Sequence, residues 1–208
     1  MLMNAPNLAV GEKQTKSYLE AHPVSYTAHY NLGNLLLNQG KYREAVKELQ
    51  AAIALNGEHA ESFHDLALCL LRLGNFADAL RLTEVSIGKL AKTDPRGYNL
   101  KGAILAGTSP SSRENMRDAI KAFKKSLFFD EAQAPVHRSL ARIYASLGMQ
   151  YDAANHFKRS LQLDPWHEMT YRRYGKTLVS LGKTSEAARI LEEWSKFKRD
   201  KQKKLPVN

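Results

Sequence analysis

A 34-residue segment, residues 26–59, constrains the fold most strongly because it recurs along the chain. Its apolar residues follow helical spacing on both sides of Gly40, which predicts two helices joined by a short connection at Lys41 and Tyr42. Glycine just after the first helix is typical of a helix C-terminus. One such hairpin has an apolar face on each helix and cannot bury both faces alone. The segment therefore predicts further copies of itself.

Four further copies follow with the same spacing. We place the repeats at residues 26–59, 60–93, 95–133, 134–167 and 168–201. The third copy has five extra residues, which we place between its two helices, in residues 107–112. Residues 1–25 are interpreted as a tail, disordered to residue 8, and a capping helix from Ala9 to His22 that covers the first hairpin. Residues 202–208 are interpreted as a basic C-terminal tail.

Two columns of small residues run through the five copies. Alanine stands early in the second helix of every copy, at Ala45, Ala79, Ala119, Ala153 and Ala187. Glycine or alanine stands in the middle of the first helix, at Gly33, Ala67, Gly102, Ala141 and Gly175. The distance between two packed helices depends on the side chains at their contact. Small residues at these two repeat positions therefore predict that the helices of each hairpin approach closely.

The repeated unit resembles the tetratricopeptide repeat. The resemblance rests on the spacing, on the alanine column, on the Leu32-Gly33 pair and on the Asp164-Pro165 ending. Aromatic residues early in the first helix add to it: Phe63, Tyr98 and Tyr171. The resemblance covers residues 26–201 and implies an all-α fold, a right-handed superhelical solenoid of antiparallel helix pairs with a concave groove. The departures are Lys101 in place of the usual leucine, and Gly57, Ala91 and Glu131 in place of the terminal proline.

The net charge of +10 lies in the second half of the chain. Residues 1–93 carry 9 Lys+Arg and 9 Asp+Glu, whereas residues 94–208 carry 22 and 12. An electrostatic role is therefore expected in the second half. No run reaches the roughly 18 apolar residues of a membrane span. The start of the chain lacks the features of a secretory signal, and Cys69 is the single cysteine. These features favour a cytoplasmic protein.

The sequence contains no catalytic signature, so we expect no enzyme activity, no metal and no cofactor. Its seven histidines are scattered, without an H-E-x-x-H motif, and no glycine-rich phosphate loop occurs. His29 and His137 stand in the column that holds aromatic residues in the other copies. We interpret both as packing histidines.

The first helices of the repeats predict a partner-binding surface in the groove. Ten residues on the face turned away from the hairpin contact are our candidates. They are Tyr30, Asn34, Asn38, His64, Arg72, Asn99, Arg138, Arg142, Arg172 and Lys176. In the last two copies the cations are spaced i,i+4 and are expected to project side by side. Either these arginines recognise an acidic peptide or carboxylate, or they form a solvated basic helix face.

Some tetratricopeptide proteins hold a partner's C-terminal carboxylates with a clamp of lysine, asparagine and arginine residues. In this sequence Asn34 matches that clamp, and Arg96 preserves the charge of another position. The remaining positions hold Tyr30, Asp65 and Leu100, which do not match. We therefore do not expect a clamp of this type.

The last helix supplies a second candidate contact surface: Trp194, Phe197, Lys198 and Arg199. Trp194 replaces the small residues of the earlier copies, which predicts a hydrophobic lid on the end of the stack or an anchor for a partner. Six of the nine residues from Lys196 to Lys204 are cationic. This run could contact phosphates of a nucleic acid or an anionic membrane, or it could be a solvated helix end.

Three functional hypotheses follow. The first is a scaffold or adaptor that binds a partner protein or peptide with an acidic segment in the groove. The second is an anionic-surface or RNA-associated factor that uses the basic second half, although nucleic acid is the less favoured partner. The third is a non-catalytic regulatory subunit of an enzyme complex. The sequence does not indicate the oligomeric state.

Overall fold

The computed structural model describes residues 5–89, 92–109 and 112–203, and these residues form eleven α-helices and no strand. They belong to two compact units that divide between Phe129 and Asp130. The first unit contains α1 (Ala5–Ala21), α2 (Tyr26–Asn38), α3 (Tyr42–Leu55), α4 (Ala60–Arg72), α5 (Phe76–Lys89), α6 (Pro95–Thr108) and α7 (Arg113–Phe129). The second contains α8 (Ala134–Ser146), α9 (Gln150–Leu163), α10 (Glu168–Ser180) and α11 (Thr184–Lys203). Each predicted repeat thus contains one helix pair.

In four hairpins, all but the third, the first helix is followed by a glycine with a left-handed backbone. Gly40 has φ 77°, and the N–H of Lys41 donates to the carbonyl of Leu36 at 2.9 Å. A residue with a Cβ is strained at this φ, which is why glycine stands there. The same conformation recurs at Gly74, Gly148 and Gly182. The helix end predicted at Gly40 is confirmed.

The two helices of a hairpin approach closely where the sequence has small residues. A Cβ added to Gly33 would lie 2.7 Å from Cγ of Leu49, and one added to Gly102 would lie 2.8 Å from the ring of Phe123. The alanine column is buried in all five hairpins: Ala45, Ala79, Ala119, Ala153 and Ala187. The close approach predicted from these two columns is confirmed.

In the first unit, α2 to α7 pack as three successive hairpins, and α2 to α6 contribute to one apolar cluster. Its fully or nearly buried members include Leu32, Leu49, Leu66 and Ile104. Helix α1 packs against α2, and its Leu19 joins this cluster. Burying these side chains stabilises the unit by about 25 cal/mol for each Å² of apolar surface removed from water.

The N-terminal segment differs in part from the prediction. Helix α1 begins at Ala5, so the predicted disorder is wrong for residues 5–8, whereas residues 1–4 lie outside the described part of the chain. The helix ends at Ala21, one residue before the predicted end. Helix α1 contacts the first hairpin through an ion pair, in which the Glu12 carboxylate accepts from the Lys41 ammonium group at 2.9 Å.

The extra residues of the third repeat are mostly helical, which corrects our placement of all five between the helices. Helix α7 has 17 residues, whereas α5 at the same place in the second repeat has 14. Helix α6 has 14 residues, one more than α4. The connection after Thr108 is therefore short, because added residues satisfy their backbone groups by extending a helix. Residues 110 and 111 of the predicted insertion lie outside the described part.

In the second unit, α9 packs against α8 and α10, and α11 packs against α10. Phe157 lies at its centre and is 2% exposed. Val136 and Leu140 of α8 and Leu178 of α10 are also buried. Helix α11 extends to Lys203, so the first two residues of the predicted basic tail are helical, and residues 204–208 lie outside the described part.

Candidate functional site

Two cavities on the second unit lie along α8 and α10 and share Arg142, Phe157 and Arg173. The first has a volume of about 450 Å³ and extends along Lys176. The second has a volume of about 240 Å³ and extends along Arg138. We call the two together the α8–α10 groove. The buried ring of Phe157 forms part of its wall, and Arg142 and Arg173 stand at the junction of the two cavities.

Four cations line this groove, and the sequence predicted three of them: Arg138, Arg142 and Lys176. The fourth is Arg173, whereas the predicted Arg172 lines neither cavity and pairs with Glu168 at 2.8 Å. Arg172 thus lies outside both cavities, and its predicted role in binding a partner stays a prediction. The sequence comparison used identical repeat positions, but the sides of α8 and α10 that face each other carry different positions of the repeat. Successive helical residues point about 100° apart, so one residue decides the face.

The same two repeat positions hold a complementary pair in the first unit. Asn34 directly follows Gly33 as Arg142 follows Ala141, and Asp65 stands two residues before Ala67 as Arg173 stands two before Gly175. The side-chain amide of Asn34 donates to the Asp65 carboxylate at 2.9 Å. In the first unit, the side chains at these two positions are therefore hydrogen-bond partners of each other. The second unit holds two guanidinium groups there. This comparison is the sequence signal that could have identified Arg173.

Three of the four groove cations have no acidic partner among the described residues. Arg138 donates to Asp164 at 2.9 Å and is neutralised by it. Within the described part of the chain, Arg142, Arg173 and Lys176 form no salt bridge, and no Asp or Glu lines either cavity. Burial, and to a smaller extent the neighbouring Arg142, lowers the pKa of Arg173 below its usual value. An arginine so placed stays charged at neutral pH. The groove therefore presents uncompensated positive charge.

The remaining groove lining is neutral and mixed. Gln150, Thr177 and Ser180 provide polar side chains along the first cavity. Pro135 and Met169 provide apolar surface along the second, and Met169 is 49% exposed. Such a surface offers hydrogen bonds and apolar contacts to a bound chain on both sides of the cations.

Tyr30, Asn34 and Asn38, three candidates of the first unit, contact neighbouring side chains of that unit. Tyr30 packs edge-on against His59, with ring centroids 4.5 Å apart. Burial, with a further contribution from the Asp65 carboxylate, raises the pKa of Tyr30 to about 12. Asn38 donates to the carbonyl of Asn34 at 2.9 Å. These contacts use part of the hydrogen-bonding capacity of Asn34 and Asn38.

Three other candidates of the first unit differ in their surroundings. Burial lowers the pKa of His64, which favours its neutral form. Asn99 is half-buried, and Arg72 is exposed. Arg96, the charge-preserving residue of the clamp comparison, donates to Asp94 at 2.6 Å. The role of all these residues in binding a partner stays a prediction.

The aromatic residues of α11 pack on the second unit. The rings of Trp194 and Tyr171 lie 5.2 Å apart, and those of Phe197 and Trp166 lie 4.6 Å apart. Trp166 is nevertheless 50% exposed and Phe197 36% exposed. The cations next to them are exposed: Lys198 and Arg199. Whether these four predicted contact residues of α11 bind a partner stays a prediction, and Lys204 of the basic run lies outside the described part.

Among the residues that the structure describes, no helix is both long enough and apolar enough to cross a membrane.

Comparisons with known proteins agree with this architecture. A tetratricopeptide repeat family model matches residues 30–87. The "Hsp70-Hsp90 organizing protein" of Triticum aestivum is 36% identical over 72 residues, which are 35% of this chain and 12% of that protein. The "TPR repeat-containing thioredoxin TTL4" of Arabidopsis thaliana is 28% identical over 122 residues, 59% of this chain and 16% of that protein. The chain thus spans a small fraction of the length of the curated relatives it matches.

Solved structures share the fold. The structure of Pseudomonas aeruginosa pilF has a TM-score of 0.76 and 16% identity, and the match covers 94% of this chain and 90% of that one. MamA has a TM-score of 0.70 and 17% identity over 83% of this chain and 97% of its own. YrrB, described as a TPR protein with an unusual peptide-binding site, has a TM-score of 0.64 and 16% identity, and the match covers 89% of this chain and 93% of YrrB. The predicted all-α tetratricopeptide fold class is confirmed. The five repeats, their helix hairpins and these likenesses therefore show a tetratricopeptide repeat fold, and residues 30–87 match the tetratricopeptide repeat family.

Proposed function

We propose that this chain is a non-catalytic scaffold that binds a segment of a partner protein in the α8–α10 groove, and that the bound segment is acidic. The observation that carries the proposal concerns Arg142 and Arg173, which have no acidic partner among the residues that the structure describes. The first unit holds the hydrogen-bonded pair Asn34 and Asp65 at the same repeat positions. Two relatives support a role in protein binding by their names, the Hsp70-Hsp90 organizing protein and YrrB with its peptide-binding site.

The groove suits an extended peptide because its binding groups are already held in place. The four cations project from two helices that pack against α9, and the buried Phe157 supports both cavities from below. A bound peptide then loses conformational entropy while the protein loses little, which favours affinity. Guanidinium groups bind carboxylates through paired N–H donors, so arginine gives both charge and direction to the contact.

The first unit is a weaker candidate for this role. Its equivalent positions carry a carboxylate, Asp65, which repels an acidic ligand and already accepts from Asn34. The first unit, residues 1–129, carries 16 cationic and 12 acidic side chains, whereas the shorter second unit, residues 130–208, carries 15 and 9. An acidic segment is therefore attracted to the second unit, which also gives faster association at low salt.

We place this activity in the cytoplasm, supported by the free and buried thiol of Cys69. Burial raises the pKa of this thiol to about 12, so it stays protonated and unreactive. A chain with a single protected cysteine needs no oxidising compartment.

The test is binding of the full chain to an array of random peptides graded by net charge. Acidic peptides are expected to dominate the bound fraction. The substitutions Arg142→Glu and Arg173→Glu together should weaken that binding at least about tenfold, since charge reversal creates like-charge contacts. Arg172→Glu is the matched control, because it changes the charge of α10 by the same amount outside both cavities. Binders without a charge bias, or a double variant that binds as the parent does, would sink the proposal.

A further inference from the structure

We propose that the group recognised between Arg142 and Arg173 is a phosphorylated serine or threonine side chain within the bound segment. This inference rests on the proposed function and names the anion that the α8–α10 groove takes.

The first argument is the number of uncompensated charges. Arg138 already has Asp164 as its partner, which leaves Arg142, Arg173 and Lys176. A carboxylate side chain brings a single negative charge. A phosphate monoester brings about −1.5 to −2 charges at neutral pH, so one phosphate compensates most of this cluster.

The second argument is the number of hydrogen-bond donors. Each guanidinium presents five N–H donors in a planar fork, and one fork is enough for the two oxygens of a carboxylate. Here one fork comes from α8 and a second from α10, and Lys176 lies one turn along α10 from Arg173 on the same side. A phosphate has three terminal oxygens, so it can accept from both forks and from the ammonium group together.

The third argument is the location of the pair within the groove. Arg142 and Arg173 line both cavities, so the anion lies where the two cavities meet. The bound chain then continues in one direction past Gln150 and Ser180 and in the other past Met169. A side-chain anion in the middle of a segment fits this arrangement, whereas a C-terminal carboxylate would leave one cavity without a ligand.

The first unit supplies the control variant. Arg142→Asn combined with Arg173→Asp installs the pair that Asn34 and Asp65 form in the first unit, where it packs with a 2.9 Å hydrogen bond. This double variant keeps a pair of side chains that the same repeat positions accommodate. A second variant, Arg142→Lys with Arg173→Lys, keeps the charges and removes the forks.

The experiment titrates the full chain with three labelled, degenerate peptide libraries that differ only in a central phosphoserine, aspartate or serine, and measures fluorescence anisotropy. We expect the phosphoserine library to bind at least about tenfold tighter than the aspartate library. One additional charge-assisted hydrogen bond is enough to give a difference of this size. The Asn/Asp variant should lose phosphoserine binding, and the Lys/Lys variant should lose the preference over aspartate. Arg172→Ala should retain both. Circular dichroism melting checks that each variant is folded.

The outcomes separate this inference from the function on which it rests. Equal affinity for the phosphoserine and aspartate libraries would overturn the phosphate inference and leave the acidic-segment proposal intact. If none of the three libraries binds, both proposals are wrong. A single-stranded RNA oligonucleotide serves as the remaining probe. RNA that binds more tightly than phosphopeptide, and with the same dependence on Arg142 and Arg173, would overturn the inference.

Discussion

The Nδ1 atoms of His137 and His156 lie 2.9 Å apart, on α8 and α9, and His137 is 5% exposed. The corresponding positions of the first repeat hold His29 and Glu48, whose Nδ1 and Oε2 atoms lie 2.7 Å apart. In both repeats Nε2 of the first histidine lies 3.1 Å from a backbone carbonyl, that of Glu131 or Pro23. The packing role predicted for His29 and His137 thus includes specific hydrogen bonds. One hairpin pairs a histidine with a carboxylate, the other with a second histidine.

This difference predicts that lowering the pH reduces the free energy of unfolding of the second unit. Burial lowers the pKa of His137, with a smaller contribution of the same sign from Arg159 and opposing ones from Glu131. The unfolded chain, with a histidine pKa of about 6.5, then binds more protons than the folded one. The free energy of unfolding should therefore fall as the pH drops below about 6.5.

Urea unfolding at several pH values between 7.5 and 5 measures this effect. The substitution His156→Glu installs the first repeat's pairing and should reduce the loss of stability on acidification. An unfolding free energy of the parent chain that stays constant over this range, or falls equally in His156→Glu, would contradict the assignment.

Gly102→Ala should destabilise the first unit by about 1–3 kcal/mol, the usual cost of overpacking a core. Its Cβ would lie 2.8 Å from the Phe123 ring, which is itself buried. Gly88→Ala is the matched control, because it lies inside α5 with no atom within 4 Å of the added Cβ. This second change should raise the free energy of unfolding by at most about 0.5–1 kcal/mol through helix propensity, because Gly88 is the second-to-last residue of α5. Thermal melts of both variants distinguish the two effects by sign.

Asp65→Ala should cost about 1–3 kcal/mol, because it leaves the partly buried amide of Asn34 without its acceptor. Asp118→Ala removes a carboxylate from an exposed ion pair with Lys121 and should leave the unfolding free energy unchanged. Denaturant unfolding of the two variants makes the comparison. Equal effects would mean that the Asn34–Asp65 hydrogen bond does not stabilise the first unit.

Trp194→Ala should destabilise the second unit while leaving peptide binding intact. The indole packs on the ring of Tyr171 and is half-buried, so we expect a loss of about 1–3 kcal/mol. Phe197→Ala provides a comparison with a more exposed ring of the same helix. If anisotropy titrations show weaker peptide binding by folded Trp194→Ala, Trp194 is an anchor for the partner rather than a hydrophobic lid on the end of the stack.

Local periodicity was enough to predict the hairpins. Gly40 ends its helix because only glycine adopts that backbone conformation without strain, and this is a property of one residue and its neighbours. The small columns at Gly33 and Ala45 predicted the close approach because they repeat at the same depth in each copy. The extra residues of the third repeat were misplaced, since a sequence insertion does not reveal whether a helix absorbs it.

The sequence by itself determined the helix hairpins, their order and the location of the excess positive charge, because each depends on neighbours along the chain. The tertiary structure decided which cations share the groove. Arg173 lines it and Arg172 does not, because the packing of α9 against α8 and α10 sets which side of each helix faces the cavities. Packing likewise joined Asn34 to Asp65 and gave Arg142 no acidic partner within the described part of the chain, since these contacts form between helices that are distant in sequence.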